Sequence, residues 1–383
     1  MVFFMWGFVT WLNHLFIPQL QYIFGIDTID ESLLLFVFFG GYLLMGMPSA
    51  YFVSKYGFKV AFIAGLTTIV AGAILFYGSI TYLSFSSFLA GFFVIAAGVT
   101  LLQVSANTYV VLLSGAQYAP ANLCLVQGIN SLGITIIPFF GILMLSSGEF
   151  DSIIQNAHFL QVPYTYLSIF CFLMAVFLVF VKFHPVSYSR NFLFFKTITD
   201  KNVIFAAIAI FFYVGAEFTV AYSLPHLFDS GNQSIPFSSN QALMIFWFLA
   251  LVGRILGWRY LHATQNSTQL LMLHTVLAIA VSICISATSI NLAIILTIAL
   301  GFFNSIIFPV IFSMGLRFTE ETSIPAAGIL VTAISGGGII PLIINALAKN
   351  VSYTFLISGI SVCYIIVFVY VMYFRRMIQA RKV

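Results

Sequence analysis

Short polar breaks divide this chain into apolar segments long enough to cross a bilayer, and that division limits the fold more than any single motif. A spanning helix needs about 20 largely apolar residues. On that rule twelve spans are predicted, over residues 1–24, 32–53, 60–78, 86–113, 122–147, 163–181, 203–227, 240–260, 268–287, 292–314, 326–348 and 353–374. The content of charge agrees: 6% charged against 62% hydrophobic residues cannot make an ordinary water-soluble surface, which takes about 25%. A net charge of +4 says less in such a chain than where the charges fall, and no nucleic-acid partner follows from it. The cysteines Cys124, Cys171, Cys284 and Cys363 have neither metal-ligand spacing nor a disulfide pattern and read as small buried apolar residues. Met1 opens straight into an apolar run without a basic start or a small-residue cleavage site, so the first segment is expected to span and not to be a secretory signal. Whether a leader precedes it stays open.

Threading twelve spans from an inner start puts every lysine and arginine except Lys349 on the cytoplasmic side, Arg254 included. This follows the positive-inside rule and makes both termini cytoplasmic. The longest polar stretch on that side follows the sixth span. It divides the chain into an N-terminal six-helix bundle (1–181), a cytoplasmic linker (182–202) and a C-terminal six-helix bundle with a short basic tail (203–383). The halves echo one another. An offset of 203 carries Gly98 onto Gly301 and Gly133-x4-Pro138 onto Gly336-x4-Pro341, and an offset of 200 carries Gly57-Phe58-Lys59 onto Gly257-Trp258-Arg259. Segments of like orientation are matched, as in a parallel repeat about an axis along the membrane normal. The predicted class is an all-α membrane protein with twelve transmembrane helices in two pseudo-symmetric six-helix bundles.

Polar groups inside such spans are costly and mark a bundle interior or a wet path. In the first span these are Asn13 and His14. Glu217, in Tyr213-Val214-Gly215-Ala216-Glu217, is the one carboxylate inside a predicted span and must be neutralised, hydrated or paired. Under the repeat, His14 lies at a similar depth in the matching helix and could face it; a protonated Glu217 bonded to a backbone carbonyl is the alternative. Gln103 and Asn107 in the fourth span, and Gln127 and Asn130 in the fifth, are spaced to share a helix face. Asn304 adds an amide in the tenth. Amides offer donors and acceptors together, and Trp6, Trp11, Tyr213 and Trp247 offer stacking faces, a chemistry that suits a neutral sugar. Interhelical hydrogen bonding would use the same amides. The Gly-Pro pairs of spans 5 and 11 permit close approach or bending. No Walker loop, HExxH helix, CxxC pair or GxSxG elbow occurs.

Several stretches, in order, resemble one family. Phe4-Met5-Trp6-Gly7-Phe8 with Leu12-Asn13-His14 and Ile17-Pro18 is similar to a first-helix motif written FxWGFxTxLNDxLIP. Leu101-Leu102-Gln103-Val104-Ser105-Ala106-Asn107-Thr108-Tyr109-Val110 resembles LLQVAANPYV, and Gln127-Gly128-Ile129-Asn130-Ser131-Leu132-Gly133 resembles QxxNSLG. Tyr213 to Glu217 matches YVGAE, Gly301 to Pro309 resembles GLFNSIMFP, and Gly336 to Pro341 resembles GGAxxP. These are motifs of the fucose:proton symporter family of the major facilitator superfamily, with its glucose/galactose transporter branch. The resemblance implies a secondary transporter of a bacterial inner membrane that imports a hexose by alternating access, without a cofactor and with a proton gradient as energy source. Its implied sugar-binding residues are Asn13, Gln103, Asn107, Gln127, Asn130, Glu217, Asn304, Trp6 and Tyr213. Two departures stand out. His14 occupies the place of the family's proton-carrying Asp, and Gln103 follows the glucose/galactose branch where the fucose branch has Glu; Thr108 also replaces a Pro. An imidazole titrates near neutrality when unperturbed, so His14 and Glu217 are the candidates for proton coupling. The expected partners are a small sugar and the lipid bilayer, and the expected state is a monomer that is not an enzyme. The alternatives are an uncoupled facilitator, a carrier of another small polar metabolite, or a sensor that moves nothing.

Overall fold

Helices follow the predicted spans almost segment for segment. A computed structural model of the chain describes residues 1–15, 24, 31–145, 153–229, 235–319, 321–348 and 351–380. Its helices are α1 (Val2–Leu15), α2 (Glu31–Tyr56), α3 (Phe58–Thr81), α4 (Phe85–Leu145), α5 (Ile153–Phe180), the short α6 (Phe194–Ile198), α7 (Lys201–Asp229) and α8 (Ser239–Thr264). They continue as α9 (Ser267–Ile285), α10 (Ile290–Asn304), α11 (Ile307–Gly315), α12 (Ser323–Thr332), α13 (Gly336–Ala348), α14 (Tyr353–Gly359) and α15 (Ser361–Ala380). No strand occurs among the described residues.

Among the described residues, ten helical stretches are long and apolar enough to cross a membrane. One, Phe85–Ile136, has 52 residues, far more than the roughly 30 Å hydrocarbon core takes at about 1.5 Å per residue. It is two spans. At Gly115 φ is 68°, a left-handed conformation that glycine adopts without strain, and the chain turns back on itself. The return is seen in Gln127 Nε2 donating to Asn107 Oδ1 at 3.1 Å, atoms that one continuous helix would hold about 30 Å apart. Adding α1, whose described part has 14 residues, gives twelve spans. The sequence predicts a polar break over 114–121, but a single glycine makes the reversal.

Leu44, Ile74, Leu173, Phe177 and Val369 are each more than half exposed, an apolar outer surface suited to lipid. Small residues bring the helices together inside. A side chain at Gly133 would collide with Phe4 of α1, and one at Gly336 with Phe211 of α7. Spans 5 and 11 thus meet spans 1 and 7 alike, as the repeat expects. The other pair at that offset differs: Gly98 rests on Gly65 and Ile69, Gly301 on Phe246. Of the thiols, Cys124, Cys171 and Cys363 are buried. Cys284 is exposed, which corrects the expectation for that residue. It lies one position from the end of α9, and an apolar thiol meets lipid as readily as protein.

The connection between α5 and α7 lies across the helix ends that carry Lys55 and Lys59, the basic end of the molecule. Tyr109 donates to the His184 carbonyl at 3.1 Å, Phe58 meets Tyr188 edge-on and Tyr51 meets Phe192 likewise. Lys196 of α6 pairs with Glu321 at 2.6 Å. This partner holds the Glu321 carboxyl below the usual carboxylate range.

Candidate functional site

Helices from both halves of the chain surround a cavity of about 70 Å³. An enclosed water needs roughly 10–15 Å³ of such space, so the cavity has room for several waters or part of a small ligand. Its polar wall is Thr10, Tyr42, Gln103, Gln127, Asn130, Glu217 and Arg254, and its apolar wall includes Trp6, Phe39, Phe218, Trp247 and Phe308.

The polar side chains are held by one another. Gln103 Nε2 donates to Tyr42 Oη at 2.9 Å, tying α4 to α2, and Thr10 Oγ1 donates to the Trp6 carbonyl of its own helix at 2.7 Å. Gln127 is fixed by Asn107, and Asn130 Nδ2 donates to the Phe3 carbonyl at 3.1 Å. Each wall amide thus uses one N–H as an anchor. Its second N–H and its carbonyl oxygen make no bond among the described residues and are available to a ligand.

Glu217 meets a cation that the sequence puts elsewhere. Arg254 is only 4% exposed and lies in the cavity wall, which corrects its assignment to the cytoplasmic charges. Its Nη2 stands 3.9 Å from Glu217 Oε1. Nε donates to the Ser305 carbonyl at 3.0 Å, and Nη1 donates to the Gln127 carbonyl at 2.8 Å and to Ser131 Oγ at 2.5 Å. A buried charge needs this many partners.

The tenth span supplies acceptors because it is broken. α10 ends at Asn304 and α11 starts at Ile307. Pro309 has no N–H to give the carbonyl four residues earlier, which is that of Ser305, and Arg254 takes the vacancy. Phe303 and Asn304 also bond side chains through their carbonyls, with His274 Nδ1 at 3.0 Å and Tyr213 Oη at 2.8 Å. Tyr213 Oη is equally 2.8 Å from Glu217 Oε1. Its one proton serves two acceptors. An ionised Glu217 takes that proton directly; a protonated Glu217 donates to Tyr213, which then donates to Asn304. The same geometry holds either form.

Of the residues singled out in the sequence, Trp6, Gln103, Gln127, Asn130, Glu217 and Trp247 reach the cavity. Asn107, Tyr213 and Asn304 are fully buried behind it: Asn107 braces Gln127, Tyr213 braces Glu217, and Asn304 accepts from Tyr364 Oη at 2.8 Å. Asn13 and His14 belong to α1, but their side chains, like that of Trp11, lie outside the described residues. Arg254, Thr10, Tyr42, Phe39, Phe218 and Phe308 are wall residues not named as site residues from the sequence, although Phe308 lies within the Gly301–Pro309 motif.

Between the cavity and the basic end the two halves are in close contact. A side chain at Gly46 of α2 would strike Thr332 of α12, and one at Gly328 would strike Ala50. On the other flank Tyr118 meets His262 with ring centroids 5.2 Å apart, and at the level of the cavity itself Gly128 faces Leu251. The two halves therefore touch at that end.

The sequence model of the Major Facilitator Superfamily matches residues 1–340. A glucose/galactose transporter of Brucella abortus is 32% identical over 376 residues, covering 95% of this chain and 90% of its own length. The L-fucose-proton symporter of Escherichia coli is 26% identical over 404 residues, covering 96% and 90%. The crystal structure of an E. coli fucose:proton symporter variant superposes with a TM-score of 0.83 at 23% identity, covering 97% of this chain and 96% of that one.

Proposed function

The chain belongs to the major facilitator superfamily, and from that premise we propose that it carries a neutral hexose across the bacterial inner membrane by alternating access. It is an integral membrane protein and a transporter, not an enzyme. One observation carries the reading: three wall amides with unused acceptors, two tryptophans and a charge-balanced Arg254–Glu217 pair converge on one cavity from both halves. A hexose offers hydroxyls for the amides and an apolar ring face for Trp6 and Trp247. The glucose/galactose transporter relative points to the same substrate class.

In this reading the chain is a monomer of two bundles, 1–181 and 203–383, joined by the linker 182–202, with both termini and the basic end in the cytoplasm. Contact between the halves at the basic end then favours reading the state at hand as outward-facing. Import is coupled to protons, with His14 and Glu217 as the groups that take them up; the family-like position of His14 and the two-way bonding of Tyr213 support this. Asn13 belongs to the sugar site beside it.

Uptake of radiolabelled glucose, galactose and fucose into proteoliposomes, with and without an inward proton gradient, tests the proposal. Accumulation above equilibrium under the gradient is expected. Hexose equilibration that no gradient drives further would make the protein a facilitator, and no hexose flux at all would overturn the reading.

A further inference from the structure

Arg254 is bonded across the interface between the halves and only faces the carboxylate that would neutralise it. Both Nη1 bonds, to the Gln127 carbonyl and Ser131 Oγ, end on α4 in the first half, whereas Arg254 itself is on α8 in the second. Nη2 points to Glu217 on α7, in its own half, but 3.9 Å is beyond hydrogen-bond reach. The other groups around Glu217 are neutral donors: Tyr213 touches it, and Tyr364 stands behind through Asn304.

From this level to the basic end, α4 and α8 stay in contact through Gly128 with Leu251 and Tyr118 with His262, and Gln265 Nε2 reaches Tyr118 Oη at 3.4 Å. Opening a path along this flank parts these helices, and parting them as far as the level of Arg254 breaks both Nη1 bonds. A buried guanidinium cannot be left with fewer acceptors at little cost. Glu217 is in the same half as Arg254, with its Oε1 3.9 Å from Nη2.

We propose that Arg254 is a transferable strut, bonded to Gln127 and Ser131 while the basic end is sealed and passed to Glu217 as the halves separate there. Arg254 is then a positioning residue whose movement sets which face is open; no proton or bond is exchanged in the step. The inference rests on the alternating-access reading. It assigns Glu217 a task in the conformational change besides any contact with substrate.

The test is a distance between spin labels at Gln117→Cys and Ala263→Cys, both exposed near the basic ends of α4 and α8, with the native cysteines replaced. Pulsed EPR in nanodiscs then gives the ratio of sealed to open molecules, with glucose present. Glu217→Gln removes the receiving charge and should raise that ratio about tenfold or more, since a charged hydrogen bond is at stake. Glu217→Asp should return it to the parent value. Ser131→Ala weakens the sealed state without touching a charge and should lower the ratio about threefold to tenfold, which keeps the test open if Glu217→Gln does not fold. In an Arg254→Gln background, Glu217→Gln should have no further effect. The strut is overturned if Glu217→Gln leaves the ratio unchanged or shifts it equally without Arg254, or if Ser131→Ala does not lower it. Glucose uptake by the parent separates the two ideas: the expected distance pattern without uptake sinks the substrate reading alone, and normal uptake without the pattern sinks the strut alone.

Discussion

At the scale of single residues, Arg254 and Glu217 form a pair whose members are unequally held. Arg254 makes three charged hydrogen bonds, and Glu217 is secured by Tyr213 alone among the described residues. Arg254→Met should therefore lower stability by about 3–5 kcal/mol, the usual result of removing one partner of a buried pair. Glu217→Gln should lower it by less than about 2 kcal/mol, because Arg254 keeps its other acceptors. Thermal unfolding in detergent with and without each variant checks the order, and an equal or reversed loss would contradict it. Sequence reading found Glu217 but not its partner. Counting charges along a topology treats an arginine near the basic end of a span as a loop residue, yet Arg254 is ten residues inside α8, counted from Thr264. The signal that could have placed it was Pro309, which leaves the Ser305 carbonyl in need of a donor. Spacing was a better guide for Gln127 and Asn130. It overreached for Gln103 and Asn107, because Asn107 is fully buried behind the cavity and accepts from Gln127.

Helices set these residues in place through a few backbone contacts, and glycine substitutions separate contact from mere presence. Gly336→Ala drives a methyl group into the Phe211 backbone and should destabilise by about 1–3 kcal/mol through overpacking. Gly40 has nothing within 4 Å of the same position, so Gly40→Ala should be neutral or stabilising by up to about 1 kcal/mol from helix propensity. Comparable losses at both sites, in the same unfolding assay, would contradict this account of packing. The linker helix offers a pH-dependent element. Lys196 lowers the Glu321 carboxyl, so the pair stabilises at pH above the ordinary carboxylate range, and that contribution disappears as pH falls through the lowered value. Parent and Glu321→Gln should thus differ slightly in melting temperature at neutral pH and coincide in acid. A difference that grows on acidification would be the wrong sign. Spans were legible from hydropathy because lipid leaves the backbone no other choice. The break at 114–121 was legible too, with only the turn at Gly115 left unspecified; the break at Asn304–Ile307 was not, because a proline four residues on interrupts a helix without making the segment less apolar.

For the molecule as a whole, the repeat at an offset of 203 was legible as letters, and its meaning came with the packing. Gly133 and Gly336 hold equivalent places between spans, whereas Gly98 and Gly301 do not, and residues of both halves line one cavity. The halves touch on the basic side through Gly46, Gly328 and Thr332 and through α4 and α8. A carrier of this build changes state by exchanging that contact for one on the other side, with the cavity as its fixed point. The most direct measurement is counterflow of radiolabelled glucose into glucose-loaded proteoliposomes, comparing the parent with Gln103→Leu, which removes wall hydrogen bonding at little change in volume. The parent should exchange glucose, and the variant should show a half-saturating concentration about threefold to tenfold higher, as one or two lost hydrogen bonds imply. Exchange that is unchanged by Gln103→Leu, or absent from a parent shown to be folded, would contradict a hexose path through this cavity.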